Sequence, residues 1–364
     1  MSNSFFPSRT ITWYMVRMFM VRLFAILFAL FLVMLTLDLL GESGHVLAWP
    51  GNGNAEIWTY VSLRAPQIIS FILPFTVLFA TVLTLGTLNQ NSEVISMKGG
   101  GLSAHQVLAP LLVAALGVAI VSFAFNDRVV SRANAVLTRW EKAEFGPMPK
   151  DRKAQVNVWV RDGGNLILAR EVHGRGASTV LEDVTIYNRG SGTLDAIITA
   201  PEARTIGNEW QLTKARRFDV AHGTQADIGS VRVGAGIRPD QFTLANVDAD
   251  ERSFMALWQA IKDLKLAGRP TGELEAGLWH KISGPLSALL MPLLGAVAAF
   301  GIARSGKLFI RAVIAMGLGF AYFVADKFGL AMGNLGAYPP LLAAWGPFFL
   351  FLLIGEAVLV NTEE

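Results

Sequence analysis

Two long stretches without a charged residue constrain this chain more than any other feature. They are Ile68–Leu88 and Val107–Phe125, and each is long enough for a helix to cross a hydrocarbon layer of about 30 Å, which takes roughly 20 residues. The composition agrees, because 52% of the residues are hydrophobic and 16% are charged, against about 25% charged in an average soluble domain. The sequence therefore predicts a membrane protein.

Four further apolar runs bring the predicted number of membrane helices to six. The first, Met18–Leu40, is longer than the apolar core of about 7–15 residues in a secretory signal peptide, so it is predicted to be an uncleaved helix. A polar loop is predicted after it, over Gly41–Arg64. The other three runs are Ile282–Ile302, Leu308–Leu330 and Leu341–Val360.

The region between helices 3 and 4 consists of short segments rich in β-branched residues, separated by turn residues. Regular strand–turn spacing without helices is typical of an antiparallel sandwich or jelly roll. The predicted fold class is thus a polytopic α-helical membrane protein with six transmembrane helices and an all-β, jelly-roll-like domain between helices 3 and 4. The predicted strands are Val156–Val160, Leu166–Val172, Val180–Asn188 and Leu194–Thr199, with Trp210–Leu212 and Arg217–Val220 as weaker candidates.

The domains predicted from this pattern are residues 1–126 with helices 1–3, residues 127–275 with a β core at about 155–248, and residues 276–364 with helices 4–6. An amphipathic helix is predicted over Ser253–Leu266. The side chains predicted to face the β core are Val158, Val160, Leu166, Leu168, Val184 and Ile186.

Basic residues in short loops indicate which side of the membrane is cytoplasmic. They predict that both termini lie in the cytoplasm and that the β domain lies outside it. The residues concerned are Arg9, Arg17 and Arg22 near the N-terminus, and Arg304, Lys307 and Arg311 at the turn between helices 4 and 5.

The polar connection Asn91–Gly101 between helices 2 and 3 is predicted to form a short helix. Asn91 or Ser92 can cap its N-terminus, Glu93 suits the positive end of the helix dipole, and three glycines end it. Two interpretations are equally open: a surface helix that presses into another protein, and a solvated loop. The residues predicted for a protein contact are Asn91, Ser92, Glu93, Val94, Ile95, Met97 and Lys98.

Two sets of side chains are candidates for lipid contact. A basic cluster follows helix 3, on the side where the positive-inside tendency disfavours cations, so it is predicted to meet anionic lipid head groups. A solvated helix face, balanced by nearby acidic residues, explains this cluster equally well. Three phenylalanines on one face of helix 2 can line an acyl-chain cavity, although ordinary helix packing is the commoner reason for such a stripe. The head-group candidates are Arg128, Arg132 and Arg139, and the acyl candidates are Phe71, Phe75 and Phe79.

No catalytic or metal site is predicted. Gly301–Lys307 nearly matches a phosphate-binding P-loop, but position 308 is leucine instead of serine or threonine, so this segment is interpreted as a positively charged membrane anchor. No two histidines stand four residues apart and the chain has no cysteine, which argues against a zinc site. Asp38, Asp326 and Lys327 lie near predicted outer helix ends and are interpreted as interfacial charges.

Segments from the first helix to the last resemble the LptF/LptG family of lipopolysaccharide export permeases. The connection Leu88–Leu102 is similar to the Ser-Glu-(Leu/Val)-x-x-(Met/Leu) connection of that family. Other similar segments are Trp159–Gly163 and Val184–Tyr187 in the external domain, Leu278–Leu286 at the entry into helix 4, and Gly319–Asp326 and Pro339–Pro347, which resemble the LptG branch more than LptF.

The resemblance implies a transport subunit that catalyses nothing itself. LptF- and LptG-type permeases pair with a dimer of LptB-type ATPases, which hold ATP and Mg²⁺, and the short cytoplasmic helix is expected to dock on the ATPase. Lipopolysaccharide is expected to enter a cavity between the helices from the bacterial inner membrane and to leave towards LptC- and LptA-type β-jelly-roll proteins of the periplasm. No directly bound cofactor and no nucleic acid are expected.

One departure from the family concerns helix 1. Some members carry lysines near its outer end that are taken to meet lipid phosphates, whereas this chain has the acidic stretch Asp38–Glu42. Phosphate contact is therefore expected from Arg128, Arg132 or Arg139, or else the lipid head differs, for example with fewer phosphates or with a bridging divalent cation. Two other functions stay open: a permease of another ABC-type exporter, for a lipoprotein or small molecule, and a membrane-embedded lipid-modifying enzyme.

Overall fold

The computed structural model of the chain describes residues 7–147, 155–174, 178–189, 193–207, 209–234, 237, 239, 242, 247–266, 269–300 and 308–361. The chain divides into two compact units. Residues 1–43, 58–134 and 249–364 form a helical unit, and residues 44–57 and 135–248 form a second unit that holds a β-sheet.

Long apolar helices make up most of the helical unit. Among the described residues, five are long and apolar enough to cross a membrane, and α7 contains the described part of the remaining predicted run, so the polytopic membrane fold is confirmed. In chain order the helices are α1 (Arg9–Ala48), α2 (Asn54–Gln90), α3 (Glu93–Gly99), α4 (Ala104–Phe125), a π-helical segment (Asn126–Val130), α5 (Ser131–Lys142), α6 (Phe254–Leu266), α7 (Gly272–Phe300), α8 (Leu308–Asn334) and α9 (Pro340–Asn361).

Helix α7 packs against α4, α8 and α9. Small residues allow α7 to approach α2 and α9 closely, as is common in membrane bundles. A side chain at Gly295 would meet Thr81 at 2.9 Å, and one at Gly355 would meet Leu293 at 2.6 Å. These contacts place α7 at the centre of the bundle core.

Helix α1 is held to this core by few side chains. Met15, Phe19 and Leu23 are buried, and the guanidinium of Arg22 donates hydrogen bonds to the carbonyl oxygen of Leu83 (2.7 Å) and to the Thr87 hydroxyl (2.9 Å). Most of the remaining apolar surface of α1 is exposed. Arg22 therefore has a structural partner besides its predicted role in setting the orientation.

The polar loop predicted over Gly41–Arg64 is wrong, because α1 continues to Ala48 and α2 already begins at Asn54. The residues beyond Gly41 include Glu42, His45 and Leu47, whose side chains are compatible with a helix. The chain turns at Gly51, whose φ of +103° suits glycine. The Asn52 side-chain amide closes this turn by donating to the carbonyl oxygens of Val46 (2.7 Å) and Phe145 (2.9 Å).

Ser103 caps the start of α4. The Ser103 hydroxyl accepts a hydrogen bond from the Gln106 backbone N–H (3.2 Å), and the Gln106 side chain accepts one from the Ser103 backbone N–H (3.0 Å). This capping box satisfies two backbone donors that a helix start leaves without intrahelical acceptors. It sharply defines where the polar connection ends and the membrane helix begins.

Six antiparallel strands form one sheet in chain order, which confirms an all-β domain between the third and fourth helices, although the described strands make a single sheet instead of two facing ones. Trp210–Leu212 and Arg217 belong to one long strand instead of two, and the sixth strand was not predicted. The strands are β1 (Gln155–Asp162), β2 (Asn165–His173), β3 (Val180–Arg189), β4 (Leu194–Ile206), β5 (Glu209–Asp219) and β6 (Thr224–Val233).

A line of unpaired positions crosses the sheet. On each of the strands β1 to β5, one residue has no pairing partner on the neighbouring strand, while the residues on both sides of it pair in the same register. These residues are Asn157, Arg170, Asp183, Pro201 and Lys214. Three of the five have φ of +52° to +53°, which is uncommon for residues other than glycine. We call these five residues the pairing gap. Proline lacks the N–H that a central strand needs, so the gap explains how Pro201 is accommodated within β4.

The pairing gap also changes which side chains face the core. On β3, Leu181 is buried before the gap and Val184 and Ile186 after it, so the inward positions shift from odd to even numbers. The predicted inward positions of β1 and β3 are confirmed. On β2 the prediction is wrong, because Ile167 and Ala169 are buried where Leu166 and Leu168 were expected.

Candidate functional site

The short helix predicted between helices 2 and 3 exists as α3, but Ser92 does not cap it as expected. Ser92 has φ of +60° and makes no side-chain capping bond, while its carbonyl oxygen accepts from the Ser96 backbone N–H (3.0 Å) and hydroxyl (3.0 Å). The carboxylate of Glu93 instead accepts from the Asn91 side chain (3.2 Å) and the Tyr14 hydroxyl (3.5 Å). Glu93 is thus oriented by donors on both α1 and the connection.

The C-terminal end of α3 is a Schellman-type turn. The Leu102 N–H bonds to the Met97 carbonyl oxygen (3.2 Å), and the Gly101 N–H bonds to that of Lys98 (2.9 Å). Gly101 has φ of +89°, which glycine adopts without strain. The predicted role of the glycines in ending this helix is therefore confirmed.

The apolar residues of α3 point in two directions. Val94 is 4% exposed and lies in the core of the helical unit, with Met97 packed against that core. Ile95, by contrast, is 65% exposed. The burial of Val94 argues against its predicted contact with another protein. Val94 instead anchors α3 to its own chain, because a helix of seven residues is too short to be stable without packing.

A cavity of about 250 Å³ lies within the helical unit, between residues of α2, the π-helical segment, α7 and α8. Phe71 and Phe75 line it together with Phe323, and the ring centroids of Phe71 and Phe75 are 5.5 and 5.7 Å from that of Phe323. Phe79 does not belong to the described lining. Two of the three phenylalanines predicted for an acyl cavity thus share a cavity wall, and the third lies away from it.

The same cavity carries charged groups. The Asp326 carboxylate lies 3.1 Å from the Nε2 atom of His280, and Asp326 is 7% exposed. Lys281 and Lys327 also line the cavity. Asp326 is therefore nearly buried beside His280, and α8 continues to Asn334, roughly 12 Å beyond it at 1.5 Å per residue, while its position at the membrane interface stays a prediction.

The acidic end of helix 1 has a basic partner that sequence reasoning missed. Both Nε and Nη2 of Arg64 lie close to one carboxylate oxygen of Asp38, at 2.9 and 2.8 Å, and the Tyr60 hydroxyl donates to the other oxygen at 2.8 Å. Arg64 also bonds to Gln67, which lines the cavity. Both oxygens of Asp38 are therefore already engaged, which argues against a divalent cation there.

The basic cluster after helix 3 does not line the described cavity. Asn126, Val130 and Asn134 line it at intervals of four residues, whereas Arg128 and Arg132 are exposed at positions between them, on roughly the opposite side of the helix. In the second unit, the half-buried Arg139 donates from Nε to the carbonyl oxygen of Ala135 at 2.5 Å. Contact of these three arginines with a lipid head group stays a prediction.

Two acidic residues connect α6 to the rest of the helical unit. The Asp127 carboxylate accepts from the Phe254 backbone N–H (2.5 Å), at the start of α6. At its far end, the Glu275 carboxylate accepts from Lys265 (2.9 Å) and from the Thr271 hydroxyl (2.5 Å). Partial burial raises the pKa of Glu275, but the two bonds outweigh it, so this pKa lies below its usual value.

Comparison with known proteins identifies the family of this chain. Residues 13–361 match the family described as lipopolysaccharide export system permease LptF/LptG. The chain belongs to this family. Its relatives include the lipopolysaccharide export system permease protein LptG of Escherichia coli K12, 26% identical over 315 residues, or 83% of this chain and 84% of the relative. The LptG protein of Haemophilus influenzae is 22% identical over 319 residues, or 84% of this chain and 86% of the relative.

Membership of the LptF/LptG family makes the chain a transport subunit of an ABC transporter, as predicted, and a multi-pass membrane protein of the lipopolysaccharide export system. The family match therefore favours lipopolysaccharide export over the two other functions left open by the sequence, a different exporter and a lipid-modifying enzyme. The P-loop-like segment Gly301–Lys307 lies outside the described residues.

Proposed function

We propose that this LptF/LptG-type chain is one of two permeases that extract lipopolysaccharide from the bacterial inner membrane and pass it to a periplasmic bridge. Both termini lie in the cytoplasm and the β-sheet unit lies in the periplasm, in keeping with the basic residues of the N-terminus. In this proposal residues 1–126 contribute membrane helices 1–3, residues 127–275 the periplasmic region and residues 276–364 membrane helices 4–6. ATP and Mg²⁺ belong to an LptB-type ATPase dimer.

The observation that carries this proposal is the construction of α3. Val94 packs into the core of the helical unit, whereas Ile95 and Lys98 are exposed. The carboxylate of Glu93 accepts hydrogen bonds from Asn91 and Tyr14. A helix anchored on one side and apolar on the other can transmit a movement of a docked protein to the bundle. An exposed isoleucine beside fixed charges is the kind of surface that a hydrophobic groove with a polar rim binds.

Replacement of Ile95 tests the docking. Ile95→Asp places a charge where an apolar contact is proposed, so co-purification of the ATPase and lipid-stimulated ATP hydrolysis should both fall at least tenfold. Glu93→Ala should reduce transport more than assembly, because its charge orients the contact. Ser96→Ala, on the exposed surface of the same helix, is the matched control. Normal assembly and transport in Ile95→Asp would remove α3 as the coupling element.

The size of the cavity supports the proposal that a second permease completes the lipid site. Its volume of about 250 Å³ lies below the roughly 300–1,000 Å³ of sites for drug-sized ligands, and lipopolysaccharide with several acyl chains is much larger. The apolar side of α1, with Val21, Phe24 and Phe28 exposed, offers a further wall. An LptF-type permease facing this surface would enlarge the enclosed volume.

For the lipid head group, we propose contact with Arg128, Arg132 and Arg139, whose guanidinium groups match phosphate geometry. Combined Arg128→Glu and Arg132→Glu replacement should abolish lipid stimulation of ATP hydrolysis while basal hydrolysis is kept. Arg161→Glu, an exposed arginine of β1, is the control. Full lipid stimulation and full lipid crosslinking in the double variant would place the head-group site elsewhere.

Among the described strands of the sheet, β1 and β6 lie at the edges. An open edge presents unpaired backbone groups to which a strand of another protein can add. We therefore expect LptC- or LptA-type β-jelly-roll proteins to pair there. Photo-crosslinkers along β1 and β6 should capture such a partner, and capture only from the membrane helices would contradict pairing through the sheet edge.

A further inference from the structure

Two glutamates and a histidine converge on one face of the sheet, at the end where β2 meets β3. Glu171 and His173 are two residues apart on β2 and so lie on the same side of that strand. Glu182 is the direct cross-strand partner of Glu171 on β3. The His173 Nε2 atom is 3.2 Å from a carboxylate oxygen of Glu171 and 3.7 Å from one of Glu182.

We propose that Glu171, His173 and Glu182 bind a zinc ion. In a tetrahedral zinc site the bonds to nitrogen and oxygen are about 2.0–2.2 Å, which puts neighbouring ligand atoms about 3.3–3.6 Å apart. The two nitrogen–oxygen distances bracket this value. All three ligand atoms lie within 4.8 Å of one another, so small side-chain rotations bring them to a common centre.

The charges around the three residues favour a divalent cation. Glu171, Glu182 and Glu202 stand directly opposite one another on β2, β3 and β4, and like charges in such positions repel. Glu202 is paired with Arg204, which reduces the repulsion on its side. The carboxylates of Glu171 and Glu182 and the imidazole of His173 lie close together. A bound Zn²⁺ would neutralise two negative charges there, whereas a protonated imidazole neutralises one.

The donor set fits zinc among biological cations. Imidazole nitrogen and carboxylate oxygen are both zinc ligands, whereas calcium and magnesium take oxygen ligands almost exclusively. Three protein ligands leave a fourth position for water or for a side chain of a partner. The ion would link β2 to β3 and fix this end of the sheet, a role independent of the lipid and ATPase contacts proposed above.

Sequence spacing could not reveal this site. Histidine pairs four residues apart identify zinc sites on helices, but here the ligands come from two strands, and the cross-strand register decides which residues meet. The expectation that the chain holds no metal ligands is replaced by this proposal.

The test uses the full-length chain, purified in detergent without a histidine tag and stripped with EDTA. Titration with CoCl₂ should produce the visible absorption bands of tetrahedral Co²⁺ at one equivalent, and ZnCl₂ should displace them. His173→Gln and the double variant Glu171→Gln with Glu182→Gln should weaken binding at least 100-fold. His222→Gln is the control, since the Nδ1 atom of His222 lies 2.9 Å from a single carboxylate, that of Asp219.

A measurement on the unchanged chain guards against misfolded variants. Zinc should slow amide hydrogen exchange in β2 and β3 at the metal-binding end, and leave β5 and β6 unchanged. Binding that is lost in the site variants, kept in His222→Gln and accompanied by this protection supports the site. Absence of stoichiometric binding, equal binding by all variants, or no protection of β2 and β3 overturns it.

Discussion

The anchoring of α3 by Val94 leads to a quantitative prediction. Val94→Ala removes two buried methyl-sized groups, each contributing about 0.8 kcal/mol, and a partly collapsed cavity raises the total to about 2 kcal/mol. A helix of seven residues has little stability of its own, so this loss falls on the docking of α3 to the bundle. At 1.4 kcal/mol per factor of ten, the undocked fraction of α3 should rise about 30-fold.

Hydrogen–deuterium exchange of the detergent-purified permease measures this fraction. Amides of α3 should exchange about 30-fold faster in Val94→Ala, while those of α4 and α7 keep the rates of the unchanged chain. Ile95→Ala, next to it in sequence but exposed, should leave exchange unaltered and weaken only the binding of the ATPase. In the assembled complex, Val94→Ala should keep basal ATP hydrolysis and lose lipid-stimulated hydrolysis, because movement is no longer transmitted.

The comparison between the two variants is decisive. If Val94→Ala leaves the exchange of α3 unchanged, the helix is held by something other than the packing of this side chain. If Ile95→Ala speeds the exchange as much as Val94→Ala does, the inward and outward faces of α3 have been assigned wrongly.

Three further predictions concern stability. Ser103→Ala removes the capping box of α4 and should cost about 1 kcal/mol in thermal unfolding, while Ser92→Ala, which removes no capping bond, should cost almost nothing; equal effects would contradict the cap assignment. Asp38→Asn leaves the partly buried guanidinium of Arg64 without its counter-charge and should cost about 1 kcal/mol, whereas an unchanged melting temperature would show that the pair contributes nothing. Because the pKa of Glu275 is lowered on folding, its stabilisation is present above the pKa of an unfolded glutamate, about 4.3, and is lost as pH falls through the lower folded value. The difference in melting temperature between the unchanged chain and Glu275→Gln should therefore shrink between pH 5 and pH 3, and a constant difference would contradict this link.

The apolar runs predicted the helices well because burial in a membrane requires an unbroken apolar sequence, which is visible without the fold. Strand phase was less certain. In Leu166–Ala169 every residue is apolar, so alternation could not distinguish the inward pair from the outward one. The phase follows from β1 and β3 on either side, which is a property of the sheet and not of β2.

Contacts between residues far apart in sequence could not be predicted either. The short helix that carries Glu93 and Ile95 could be predicted because its residues are contiguous in sequence. The partners of Asp38 and Asp326 stand 26 and 46 residues away, on α2 and α7, and only the packing of the helices brings them together. A carboxylate near a helix end carries no mark in the sequence that separates an exposed charge from one in contact with a distant side chain.

The pairing gap restricts which strands can add along the β1 edge of the sheet. Each strand from β1 to β5 has one residue at the gap that does not pair with a neighbouring strand. The strands keep the same register before and after the gap because all five have this residue at the same level. A foreign strand with regular alternation can match β1 on one side of Asn157, but beyond it its side chains would face the wrong way. A partner that pairs along the full edge therefore needs an unpaired residue at the same level. At the β1 edge, backbone register as well as side chains is therefore expected to decide which strands can add.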